Sequence, residues 1–215
     1  MKNYINTLRN CPLFFNFTDN EIYNAVNLSK PKIKKYSKNE FVFSAENSVS
    51  ELGIVLSGNV SVIKEDFWGN RAILTKINQS EIFGEAFALI MTDRLPVSVI
   101  SNNSSEIMFL DSKKITELNS KLITNLLQIF AQKNIMLTQK IEHLIKRTTK
   151  EKVLSYLSAE AQSHKSNAFF IPFSRSELAD YLSVDRSALS RELCRLRDSG
   201  ILRFNKNHFE LLKQS

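Results

Sequence analysis

The side chains of this 215-residue sequence best suited to chemistry lie near its end: Arg186, Ser187, Ser190 and Arg191, followed by Arg195 and Arg197. An arginine guanidinium is a planar fork of donors that pairs with the edge of a guanine or with a phosphate, and a serine hydroxyl beside it can donate or accept. Their spacing gathers the first four on one side of a helix, because Leu189, Leu193 and Leu196 claim the other side. That face implies recognition of double-stranded DNA; the alternative is a solvated basic surface helix. Catalytic patterns are missing. The sequence has no paired carboxylates in a catalytic setting, no His-Glu-x-x-His, no glycine-rich phosphate loop and no Cys/His cluster, so no enzyme is expected.

Such a face needs a rigid support, and the caps around it supply one. Ser174 and Glu177 stand three apart as a capping box, which starts a helix carrying Leu178, Ala179 and Leu182 inward. Ser183 and Val184 interrupt it. Asp185 then caps a second helix, and Gly200 ends it. Two short helices joined this tightly form a helix-turn-helix, the second helix being the reading one. After Gly200, the runs ILRFN and HFELL around Lys206 and Asn207 predict a hairpin, a wing beside the reading helix, and FFIPF before Ser174 predicts a short strand. Arg186 and Arg191 are the candidates for base or adjacent phosphate contacts, with Ser187 and Ser190 beside them. Arg175, Arg195 and Lys206 are expected to hold phosphates and set position rather than sequence.

Charge agrees with a polyanionic partner. The first 145 residues carry 16 Lys and Arg against 14 Asp and Glu, and the last 70 carry 13 against 8, within a total net charge of +7. Cys11 and Cys194 are far apart, so no disulfide framework is expected. No apolar run approaches membrane-spanning length and the N-terminus has no apolar signal core, which implies a soluble cytoplasmic protein with no membrane partner.

Three parts follow along the chain: 1–114, 115–145 and 146–215. Thr18 and Glu21 open a short helix over TDNEIYNAVNL. Then come short β runs: EFVFS, LGIVLSG, NVSVIKED, RAILTKI, VSVIS and EIMFLD, separated by turns at Ser57-Gly58-Asn59, Trp68-Gly69-Asn70 and Asn78-Gln79-Ser80. In NVSVIKED, alternation puts Val60 and Val62 on a face opposite Ser61 and Ile63. A long helix follows over 115–145. Alternate steps of four and three from Ile123 reach Leu127, Phe130, Asn134, Leu137, Ile141 and Leu144, a heptad seam that predicts a parallel homodimer with Asn134 fixing register. A second stripe, Leu122, Leu126, Ile129 and Met136, is expected to pack on the β domain. Thr148 and Glu151 cap the next helix, which opens the last domain.

This order of parts resembles the Crp/Fnr family of bacterial transcription regulators. The residues carrying the resemblance are Cys11-Pro12-Leu13-Phe14, Leu56-Ser57-Gly58, Ile82-Phe83-Gly84-Glu85, Pro96-Val97-Ser98-Val99 and the segment LADYLSVDRSALSREL. The resemblance implies an α+β protein: an N-terminal double-stranded β-helix of the jelly-roll, cyclic-nucleotide-binding type, a long dimerisation helix, and a C-terminal winged helix-turn-helix domain. It implies a homodimer that binds a palindromic operator with effector-modulated affinity, and contact with RNA polymerase if the protein activates. A cyclic-nucleotide-binding signalling module acting through protein contacts is the other reading.

In cyclic-nucleotide-binding relatives a Gly-Glu pair holds the ribose and an Arg-Ser pair holds the phosphate. Gly84 and Glu85 match the first pair, but Pro96-Val97 stands at the second, so an anion would lose its counter-charge and a backbone donor. Cyclic AMP is therefore not the expected effector. The expected pocket comprises Gly84, Glu85, Arg94, Val97 and Ser98 with Asn134 and Thr138 of the long helix. Neither an iron-sulfur cluster nor haem is expected: there are two distant cysteines, and His143, His164 and His208 all lie outside the β domain. Asn39, Asn47 and Ser80 stand at turns where relatives often place glycine, and are expected to take left-handed backbone there. Ser187 replaces a glutamate common in relatives, which implies an operator different from the best-known family consensus.

Overall fold

The computed structural model describes residues 2–65, 68, 71–91, 93–118 and 120–212. The chain forms two compact units, Met1–Ala131 and Gln132–Ser215, and the division falls inside a helix.

In the first unit, α1 (Ile5–Arg9) and α2 (Asp19–Leu28) precede the strands. The Thr18–Glu21 capping box forms, with the Thr18 amide donating to Glu21 at 2.6 Å. The strands are β1 (Lys32–Tyr36), β2 (Phe41–Phe43), β3 (Glu51–Ser57), β4 (Val60–Glu65), β5 (Arg71–Ile77) and β6 (Ile82–Phe83). After α3 (Glu85–Ile90) come β7 (Ser98–Ser101) and β8 (Ser105–Asp111). They make two antiparallel sheets, ordered β1-β8-β3-β6 and β2-β7-β4-β5.

Strand β8 shows why the alternation is hard to read. Ile107 and Phe109 enter a core with Tyr36, Val55, Val60, Phe83 and Val99, whereas Met108 and Leu110 enter another with Leu8, Phe14, Ile22 and Leu122. A strand covered on both faces reads as one apolar run. The expected alternation in β4 fails for a different reason. A register shift falls between Val62 and Ile63, and Ser61 is fully buried, its hydroxyl donating to Asn102 at 3.0 Å. Strand β1, KIKKY, was not among the expected runs. It is an edge strand, where exposed lysines discourage pairing with other chains and hide the β pattern.

Left-handed backbone occurs at Asn39 (φ 66°) and Ser80 (φ 69°), as expected, but at the third turn it falls on Glu46 (φ 71°) rather than Asn47. Gly69 and Asn70 of the expected Trp68-Gly69-Asn70 turn, and Asp66 of NVSVIKED, lie outside the described residues.

Helix is described over α4 (Ser112–Leu118) and α5 (Ser120–Leu144). Asn119, between them, lies outside the described residues. Leu122, Leu126 and Ile129 are buried in the first unit as expected; Met136 is not, being 66% exposed beyond the point where that unit ends. The buried Asn125 amide donates to the carbonyls of Leu13 and Phe15, both at 2.9 Å. It thereby ties α5 to the Cys11–Phe14 turn, in which Cys11, Leu13 and Phe14 are core residues. Burial pushes the Cys11 thiol up to about 12, so it behaves as a small hydrophobe.

The second unit adds α6 (Thr149–His164), β9 (Ala168–Phe170), α7 (Arg175–Tyr181), α8 (Arg186–Asp198), β10 (Leu202–Asn205) and β11 (His208–Leu211). Its sheet runs β10-β11-β9, all antiparallel. One core joins Val153 and Leu157 of α6, Leu178 of α7, Leu189, Leu193 and Leu196 of α8, and Phe209 of the wing.

Candidate nucleic-acid interface and effector segment

Each helix around the interface begins and ends where its caps dictate. The Ser174 hydroxyl accepts from the Glu177 amide while Glu177 accepts from the Ser174 amide at 2.9 Å, which fixes the start of α7. Its end is a Schellman turn: the Ser183 amide donates to Asp180 and the Val184 amide to Ala179, with Ser183 left-handed at φ 50°. Lys152 of α6 donates to the Leu182 carbonyl at 3.2 Å, a cation at the negative end of α7.

Asp185 starts α8. One carboxylate oxygen accepts from both the Ser187 hydroxyl and the Ala188 amide, and these bonds hold the Asp185 carboxyl below its usual range. A cap of this kind contributes about 1 kcal/mol. The helix ends in a second Schellman turn, with Gly200 donating to Arg197 and Ile201 to Leu196.

With Leu189, Leu193 and Leu196 inward, Arg186, Ser187, Ser190 and Arg191 are all exposed on the outer face. Arg186 and Arg191 form no ion pair among the described residues. Arg195 and Arg197 differ: Arg195 pairs with Glu192 at 3.5 Å, and Arg197 with Asp198 at 2.9 Å. Arg175 is half-buried. Its guanidinium lies 4.7 Å from the Phe204 ring and 4.8 Å from the Phe209 ring, and burial lowers its pKa. Lying over both rings, Arg175 links α7 to the wing, a contact the sequence reading missed because the partners lie about thirty residues away. Lys206 occupies the two-residue turn between β10 and β11 in left-handed backbone, φ 52°.

The expected effector residues are less open. Gly84 has φ 76°, and a Cβ there would stand 2.8 Å from the Phe43 ring, which gives this glycine a packing reason of its own. Glu85, Val97 and Ser98 are buried, and the Ser98 hydroxyl accepts from the Ala45 amide at 2.8 Å. Arg94 and Pro96 are exposed. Asn134 and Thr138 belong to the second unit and are exposed, and the Thr138 hydroxyl bonds back to the Asn134 carbonyl at 3.0 Å. A cavity of about 670 Å³ opens beside β1 and β2, lined by Lys34, Tyr36, Phe41, Phe43, Ser48 and Ser50 among others. None of the expected effector residues lines it. Among the described residues no cluster of His, Cys, Asp and Glu could hold a metal ion, and no helix is long and apolar enough to cross a membrane.

Two family models match this chain: the cyclic nucleotide-binding domain over residues 33–121 and the Crp-like helix-turn-helix domain over residues 151–214. The chain belongs to the Crp/Fnr family of DNA-binding transcription regulators. A "Probable transcriptional activator" of Rhizobium leguminosarum bv. viciae is 43% identical over 63 residues, 27% of this chain and 26% of that protein, so the match spans about a quarter of the relative. Among solved structures, CprK complexed with OCPA superposes with a TM-score of 0.70 at 13% identity, covering 89% of this chain and 91% of that one. FixK2 from Bradyrhizobium japonicum superposes with a TM-score of 0.55 at 18% identity, covering 85% and 93%. At such identities the structural likeness is one of fold. This Crp/Fnr chain carries Pro96-Val97 just before β7, and Arg186 and Arg191 on the exposed face of α8.

Proposed function

We propose that the protein is a homodimeric transcription regulator whose two α8 helices enter neighbouring major grooves of a palindromic operator, with half-sites about 34 Å apart. The observation that carries this is the outer face of α8: Arg186 and Arg191 stand exposed and form no ion pair among the described residues, while three leucines lock the opposite face into the core. These two arginines read base edges or adjacent phosphates, with Ser190 beside them. Ser187 serves the Asp185 cap and reads less than a longer side chain would. Arg195 and Lys206 take phosphates, and Arg175 steadies the wing from which Lys206 projects.

Pairing of two chains along α5 is supported by its exposed apolar side chains, Leu127 at 63%, Leu137 at 62% and Ile141 at 58%. With Ile123, Phe130, Asn134 and Leu144 they form the seam. The protein acts in the cytoplasm, and if it activates, RNA polymerase is its further partner. An effector near Gly84, Glu85 and Ser98 is other than a cyclic nucleotide, because Pro96 offers no amide hydrogen, Val97 is buried and the Ser98 hydroxyl is engaged.

The reading is tested by gel-shift titration against genomic fragments at two salt concentrations. Selective retention of particular fragments, with affinity falling as salt rises, is the expected result. Equal affinity for scrambled duplexes would overturn it.

A further inference from the structure

His143 sits in the last turn of α5 and is 4% exposed. Two elements of the second unit enclose it. From α6, the Ser155 hydroxyl lies 2.8 Å from Nδ1 and the Tyr156 ring meets the imidazole edge-on, centroids 5.7 Å apart. From α7, the Tyr181 ring lies 6.4 Å away. Tyr181 in turn stacks on Phe173 at 4.9 Å and packs against Tyr156 at 5.5 Å. His143 thus joins the end of α5 to both helices that position α8. Lys152 of α6 grips the turn after α7, and α7 shares its core with α8.

We propose that His143 is a positioning residue for the reading helices: its neutral ring fastens the end of α5 to α6 and α7, and its protonation loosens that fastening and weakens DNA binding. This rests on the reading of α8 as the DNA interface. A neutral imidazole needs one polar partner at Nδ1, and a serine hydroxyl can complement either tautomer. The imidazolium carries a second N–H at Nε2, and the hydrogen bond of the ring among the described residues is the one at Nδ1.

The charges around the ring pull in both directions. Glu142 on α5 and Glu160 on α6 favour the charged ring, and Lys146 just beyond α5 opposes it. Lys140, with its Nζ 5.2 Å from the Tyr181 ring, and the phenols of Tyr156 on α6 and Tyr181 on α7 are further ionisable groups in this cluster. Burial outweighs the carboxylates and holds the His143 pKa below the ordinary histidine value of 6.5. The folded unit therefore binds this proton less readily than the unfolded chain. The stability His143 contributes is fully present above pH 6.5 and is lost as pH falls from there toward the folded value.

The experiment is fluorescence anisotropy of the full chain on a selected operator at about pH 7.5, 6.5 and 5.5 and fixed ionic strength, with wild type, His143→Gln, His164→Gln and His208→Gln. Wild type should lose about three- to tenfold in affinity across this range. His143→Gln, which lacks the fastening ring, should bind more weakly than wild type at the upper pH and lose little further affinity at the lower. The His164 and His208 variants should follow wild type, since those rings lie against Phe169 and Phe170. Flat wild-type affinity, or an equal pH slope in His143→Gln, would overturn the proposal. The NMR titration of the wild-type His143 ring tests it without any variant: a midpoint at or above the ordinary value also overturns it. Failure to bind any duplex selectively at every pH would remove the interface reading instead, and the ring titration would still report on the fastening.

Discussion

Truncation of Leu137 to alanine separates the dimer seam from the fold. Its side chain is 62% exposed in the single chain, so the fold itself gains little from it. Complete burial of a leucine is worth about 1.5 to 3 kcal/mol, and covering the exposed part in a seam recovers about 1 to 2 kcal/mol of that in each chain. Two chains lose it together, about 2 to 4 kcal/mol, which weakens dimerisation by about thirty- to a thousandfold. Sedimentation equilibrium over a concentration series measures this directly, and thermal unfolding at a concentration where both proteins are monomeric should show nearly equal stability. Leu122→Ala is the control: at 2% exposure it lies in the core, and it should cost about 2 to 5 kcal/mol of folding stability. If Leu137→Ala left the association constant unchanged, or destabilised the monomer as much as Leu122→Ala does, the assignment of that face to a second chain would fall.

Other substitutions probe the interface. Arg191→Ala should cost about 1 to 3 kcal/mol on the operator and far less on random duplex, measured by competition binding; equal losses on both would remove its reading role. Ser183→Gly should raise the stability of the second unit by about 0.5 to 1 kcal/mol, because glycine tolerates the left-handed turn between α7 and α8 better than serine. The check is a thermal melt, in which an unchanged or lower midpoint contradicts the strain. Lys206→Gly should relieve the same kind of strain at the wing tip yet weaken operator and random duplex alike and flatten the salt dependence by about one unit of slope.

The second unit was largely legible because its signals are local. A cap and its partner are three residues apart, so Thr148, Ser174 and Asp185 announced their helices, and three leucines at helical spacing told which face of α8 remained outside. The β unit was legible in outline only. Its β3 and β8 strands are covered on both faces, β4 carries a register shift, and β1 hides behind edge lysines, so alternation failed as a guide in each case for a separate physical reason. What the residue order could not disclose were partners far apart along the chain. Arg175 was expected on phosphate, with nothing to announce Phe204 and Phe209 beside it, and the residue order placed His143 outside the β domain without naming Tyr156 and Tyr181 as its neighbours.

The boundary between the two compact units falls within an unbroken α-helix, after Ala131. An α-helix advances about 1.5 Å and turns about 100° with every residue. Leu137, Ile141 and His143, all beyond that boundary, therefore hold fixed angular positions relative to one another, as teeth cut on a shaft do. Exchanging a side chain between Leu137 and Ile141 preserves the phase, but adding or removing a single residue there swings Leu137 by nearly a third of a revolution relative to Ile141 and His143. Over this stretch, natural variation should consist of replacements, with any length change coming in whole turns.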